Sequence, residues 1–107
     1  MASTIVKAIP LSTFNAAALL AGYQALNTGL DEACFLIIIN NDSNTDVTIS
    51  YDGVTDHDYI SSNETKSISS QTNAQPNAYA ALFAKHMPVY VKGVAGVGTI
   101  TLSGYYV

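Results

Sequence analysis

At 107 residues the chain has the length of one domain, and at that size a core can form without metals or disulfides. Only 11 % of its residues are charged, against a usual ~25 %, and eight acids outweigh four lysines to leave a net charge of −4. With no arginine and a pI near 4.6, it lacks the basic footprint that nucleic-acid binding requires. A surface this poor in charge is expected of a protein partly covered by neighbours in an assembly.

The charges are also segregated. All eight acids fall between Asp31 and Glu64, a span with no lysine, while the cations are Lys7, Lys66, Lys85 and Lys92. Acids placed in turns are expected to be solvated. Cys34 is the only cysteine, so no intramolecular disulfide can form, and its place before an apolar run is that of a small buried hydrophobe. No apolar run approaches the ~20 residues of a membrane helix. Pro10, Ser12, Thr13 and Asn15 interrupt Ile5 to Ala21, which therefore does not read as a signal peptide.

In chain order, Ser3 to Ile9 is β-prone and ends at Pro10, which cannot donate to a ladder. Phe14 to Asn27 is open between a short helix, which Asn15 would cap, and an irregular strand; its Ala and Leu favour the first and Gly22 interrupts it. Asn27-Thr28-Gly29 is a turn. Phe35 to Ile39 is an unbroken apolar run, the signature of a strand covered on both faces by protein or by another subunit. The turn residues Asn40 to Asp46 follow, then an alternating strand Val47 to Tyr51 with Val47, Ile49 and Tyr51 on one face. This predicts a hairpin or a neighbouring strand pair. After the Asp52 to Asp58 loop come a short strand at Tyr59-Ile60, a turn at Ser61 to Glu64 and a strand over Lys66 to Ser70 with Ile68 inward. Gln71 to Asn77 reads as a loop, and Ala78 to Ala84 as one strand or two helical turns. Met87 to Gly93 and Gly98 to Val107 read as two strands joined through Gly93 to Gly96 as a second hairpin. Seven or eight strands at intervals of roughly ten residues predict an all-β, single-domain antiparallel β-sandwich over 1–107, jelly-roll or Ig-like.

Candidate chemistry is sparse. Asp52, Asp56, His57 and Asp58 place three carboxylates and an imidazole within seven residues, a set that could hold calcium or zinc. The spacing is not that of an EF-hand, and Asp-Gly turn chemistry explains the residues as well; no metal or cofactor is expected. His86 stands apart in sequence from any acid. The glycines from Gly93 to Gly98 do not match a phosphate-binding or dinucleotide pattern. Seven tyrosines and no tryptophan suit an interface or a sugar-binding face. If Tyr105 and Tyr106 lie in a strand, one must point outward, so the last strand is a contact candidate together with Tyr90 and Phe35.

Several stretches taken together resemble small virion structural proteins of tailed bacteriophages. They are Ile39 to Ser43, Val47 to Asp58, Gln71-Thr72-Asn73, Gln75-Pro76-Asn77, Val89 to Gly93 and Gly98-Thr99-Ile100. The resemblance covers about Val6 to Tyr106 and rests on turn and strand signatures rather than on chemistry. It implies a β-sandwich attached to a phage particle, as a capsid decoration or cement protein, or at the head-to-tail connector or tail. It further implies self-association, contact with virion proteins such as the major capsid protein, assembly in the host cytoplasm, and no catalytic residues or membrane contact. A different class of function is a secreted carbohydrate-binding module using tyrosines and the Asp52 to Asp58 loop. A small hydrolase would need a cleft joining His57 or His86 to a nucleophile.

Overall fold

The computed structural model describes residues 5–69 and 83–106. Among them are nine strands: β1 (Lys7–Ala8), β2 (Ser12–Asn15), β3 (Gln24–Asn27), β4 (Leu36–Ser43), β5 (Val47–Ser50), β6 (Asp58–Ile60), β7 (Glu64–Ser69), β8 (Val89–Gly93) and β9 (Gly98–Tyr106). They form two antiparallel sheets. In the larger, β9 pairs with β4 on one side and with both β1 and β2 on the other, and β7 lies outside β4. The smaller has the order β3-β8-β5-β6. Counted from β2, the orders 2-9-4-7 and 3-8-5-6 are those of a jelly roll, so the chain is an all-β sandwich of that kind rather than an Ig-like one.

The core follows from strand alternation. Ile37 and Ile39 of β4, Ile100 and Leu102 of β9, Val47 and Ile49 of β5, and Val89 and Val91 of β8 point between the sheets and are essentially fully buried. Each such side chain contributes roughly 1.5–3 kcal/mol relative to exposure. Cys34 joins this core as expected, and burial pushes its thiol pKa up.

Both predicted hairpins are corrected by the topology. β4 lies in the larger sheet and β5 in the smaller; β8 lies in the smaller and β9 in the larger. Their connections are crossovers between layers, and the direct hairpin of the smaller sheet is β5–β6. Alternation reports which face of a strand is buried, and it is silent about which strand lies alongside. The Asn40 to Asp46 turn is also shorter than expected, because β4 continues through Asn40, Asn41, Asp42 and Ser43. Inward-facing Asn41 and Ser43 satisfy their polar groups internally. Asn41 Nδ2 donates to the carbonyls of Thr45 (2.8 Å), Ser61 (3.1 Å) and Ile60 (3.2 Å), and Asn41 Oδ1 accepts from Ser43 Oγ.

Phe14 to Asn27 combines both open readings. The end of β2 runs into one 3₁₀ turn, Ala16–Ala18, and the chain re-enters a strand at β3. Asn15 Oδ1 caps the turn by accepting from the Ala17 N–H at 2.9 Å. At Gly29 the Asn27 side chain closes the predicted turn, accepting the Gly29 N–H at 2.6 Å. β1 is shorter than the expected Ser3 to Ile9 strand, whose first two residues lie outside the described ones. Ile9, Pro10 and Leu11 separate β1 from β2, and each strand pairs with a different part of β9. Tyr59-Ile60 falls in β6 and Lys66 to Ser69 in β7, with Ile68 packed against the core. The expected Gln71 to Asn77 loop and most of Ala78 to Ala84, with Tyr79, lie outside the described residues.

Candidate functional site

The outer face of the larger sheet is built by register. Residues directly opposite one another share a face, so Leu36 lies between Ser69 and Tyr105, Ile38 between Ser67 and Ser103, and Asn40 between Thr65 and Thr101. These three cross-strand rows contain no charged side chain. Leu36, Ile38, Asn40, Thr101, Ser103 and Tyr105 are all partly exposed. The apolar run is therefore fully covered on its inner side only; its outer residues form this face.

Of the four residues singled out as contacts, Tyr105 sits on this face, while Tyr106 turns inward and packs against the core. Phe35 is partly buried at the start of β4 and donates its N–H to the Tyr105 carbonyl at 3.0 Å. Tyr90 lies in the smaller sheet, where its ring covers Gly53. At one end of the sandwich Leu20, Val94 and Val97 are exposed on adjoining loops, which a bond from the Gly93 N–H to the Leu20 carbonyl (2.9 Å) holds together.

The Asp52 to Asp58 loop is organised by its own side chains. Asp52 Oδ1 accepts the N–H groups of Val54 and Thr55, both at 2.8 Å, and the hydroxyl of Ser50 at 2.8 Å. The Thr55 and Val54 amides hold this carboxyl well below the usual carboxylate range. Gly53 supplies φ +81°, a conformation other residues rarely adopt.

The loop then delivers Asp56, His57 and Asp58 to separate partners. Asp56 Oδ1 accepts from the Tyr23 hydroxyl and from Lys92 Nζ at 3.0 Å, and Lys92 also lies over the Tyr23 ring at 4.6 Å. Those bonds lower the Asp56 pKa, and burial together with the Asp56 carboxylate pushes Tyr23 up to about 12. Asp58 accepts from the Tyr51 hydroxyl at 2.7 Å and pairs with Lys66 at 3.3 Å, tying the edges of the two sheets together. Burial and then the Asp58 bond raise the Tyr51 pKa. His57 stacks on Tyr51, ring centroids 5.4 Å apart, and its Nδ1 accepts the Tyr51 backbone N–H at 3.0 Å.

Asp52, Asp56, His57 and Asp58 thus do not converge. Among the described residues no three His, Cys, Asp or Glu side chains gather where they could hold a metal ion. Nor does a nucleophile–base–acid relay pass through His57, whose Nδ1 serves a backbone amide; Ser50 Oγ is engaged with Asp52 and with the Gly53 N–H. His86 lies elsewhere, at φ +72° in the segment that bonds Leu30. Tyr23, Tyr51, Lys66 and Lys92 were not legible as partners of this loop, because register across strands decides their approach. The signal present in the sequence was alternation in Val89-Tyr90-Val91-Lys92, which already puts Lys92 on the face opposite Val91.

No protein-family model matches the chain, and no curated protein does. Among solved structures it is similar to the Dit protein of phage SPP1, described as a paradigm of the hub adsorption apparatus in phages that infect Gram-positive bacteria. The identity is 12 % and the TM-score 0.43, over 95 % of this chain and 49 % of that one. The chain spans about half the length of that protein.

Proposed function

We propose that this chain is a non-enzymatic structural protein of a tailed-phage particle, a head decoration or cement protein that stabilises the shell through contacts with its own copies and with the major capsid protein. The observation that carries the reading is a block of three uncharged cross-strand rows on the outer face of the larger sheet, where Leu36, Ile38 and Tyr105 lie among serines, threonines and Asn40, with Asp42 at the next row as the charge that bounds it. A free-standing domain normally intersperses charges of both signs over such a face, for solubility and against association. Exposed Leu20, Val94 and Val97 add a second apolar area at one end of the molecule. The sequence resemblance to small virion proteins supports the same reading. The jelly roll is compatible with it, being a fold of many capsid and lectin domains, but a fold alone assigns no function.

The mechanism is burial of surface. Each copy need hold only modestly, because a symmetric shell presents many sites at once and raises the effective concentration of every contact. Particles purified from lysate of the encoding phage, separated into heads and tails and measured by quantitative mass spectrometry, test the reading. The expected result is the chain in head fractions at a fixed ratio to the major capsid protein. Its absence from intact particles overturns the proposal, and its confinement to tails or necks overturns the head placement.

A further inference from the structure

The outer face of the smaller sheet carries a depression of about 270 Å³ lined by Thr48, Asp56, His57, Asp58 and Tyr59. The geometry points to a binding site for a neutral pyranose sugar, with Tyr59 as the stacking platform and Asp56 and His57 as the hydroxyl-binding pair. This site is on the other sheet from the neutral face above and does not depend on the particle assignment.

The floor of the site is set by register. Thr48 lies opposite Tyr59 on one side and Lys92 on the other, so the three share the outer face. Tyr59 is 60 % exposed, so an aromatic face with a polar hydroxyl at its tip is open beside the depression. The ring is open to an apolar C–H face such as that of a pyranose.

The polar pair is fixed before any ligand arrives. Tyr23 and Lys92 both bond Asp56 Oδ1, and among the described residues no donor occupies Oδ2, although the side chain is 61 % exposed. In neutral His57 the bond from the Tyr51 N–H to Nδ1 leaves the ring proton on Nε2, which is then a donor. An acceptor and a donor on adjacent residues, each locked by its own partners, match two neighbouring sugar hydroxyls, one donating and one accepting. Charge sets the ligand class. The two carboxylates at the depression, Asp56 and Asp58, are each offset by a lysine, Lys92 at 3.0 Å and Lys66 at 3.3 Å, which favours an uncharged ligand over a cation or a polyanion.

The test is a ¹⁵N-resolved NMR titration of the full chain with the methyl glycosides of glucose, galactose, mannose, rhamnose and N-acetylglucosamine, and with glycerol as a ring-free control. The expected result is saturable shifts at the amides of Thr48, His57, Asp58 and Tyr59 for at least one glycoside, with a Kd of about a millimolar, and none for glycerol. Tyr59→Ala, at an exposed edge-strand position, should weaken that binding by about tenfold, and Tyr59→Phe should retain most of it. No saturation by any of the five glycosides overturns the proposal, as does equal binding by the Tyr59→Ala variant. Either outcome leaves the presence or absence of the chain in particles unaffected.

Discussion

Replacing Asn41 with Ala should cost the fold about 3 kcal/mol, because the amide ties the β4–β5 crossover to the start of the β6–β7 turn from a position closed to solvent. The magnitude follows from what the truncation strands. The Ser61 carbonyl keeps the Glu64 N–H at 3.1 Å, and the Ser43 hydroxyl can turn fully to the Thr45 carbonyl at 3.0 Å. The Ile60 carbonyl loses its 3.2 Å donor at a buried site, a cost of roughly 1–3 kcal/mol, and the vacated amide volume adds about 1 kcal/mol. Total stability for a chain of this size is on the order of 5–15 kcal/mol, so the loss is a large fraction. It corresponds to a fall in Tm of roughly 12–24 °C. Urea denaturation gives the free energy directly, with an unchanged slope expected because the same surface is exposed on unfolding. Asn40→Ala is the matched control. Asn40 lies on the outer face, bonded to Thr65 Oγ1 at 3.0 Å, and its removal should cost no more than about 0.5 kcal/mol. Equal effects of the two substitutions would refute the claim that Asn41 holds the crossover.

Three further outcomes follow from other positions. Gly98 sits at φ +125° and a Cβ there would lie 2.6 Å from Ser43 Cα and closer still to the Asp42 carbonyl, so Gly98→Ala should destabilise the protein by more than about 2 kcal/mol in thermal unfolding, whereas Gly22→Ala, with open space around it, should be close to neutral. Cys34 is fully buried with a raised pKa and donates to the Glu32 carbonyl at 3.3 Å, so thiol reagents should label it only at the rate of opening in native buffer and at once in urea; rapid native labelling would contradict its place in the core. The folded-state pKa of Asp52 is depressed, so its contribution to stability is present above the unfolded value of about 3.9 and is lost as pH falls from there toward the folded value. Asp52→Asn should therefore lie below wild type near neutral pH and converge with it on acidification, as read by denaturant midpoints across the acid range.

Much of the strand pattern was legible because alternation is a local property. Val47 and Ile49, Ile100 and Leu102, and the inward Ile68 all fall where a period of two puts them. Pairing was not legible. Phe35 to Ile39 and Val47 to Tyr51 read as partners because a short polar connection usually joins a hairpin, but in a jelly roll the same connection crosses between sheets. Asn41 misled for a related reason, since asparagine in a polar run reads as a turn unless the carbonyls that will receive its amide are already known. The Asp52 to Asp58 loop stood out in the sequence as three carboxylates and an imidazole within seven residues. The approach of Tyr23 and Lys92 to Asp56 depends on strands far away in sequence, whereas Tyr51 and Lys66 are near Asp58 in the chain and meet it only once the loop and the β6–β7 turn have taken their shape.

Electron cryomicroscopy of intact particles tests the central claim most directly. The account predicts density for this chain in a symmetric array, with the Leu36, Ile38, Ser103 and Tyr105 face in contact with a neighbouring protein. Density with that face open to solvent in every copy, or particles that lack the chain altogether, would contradict it.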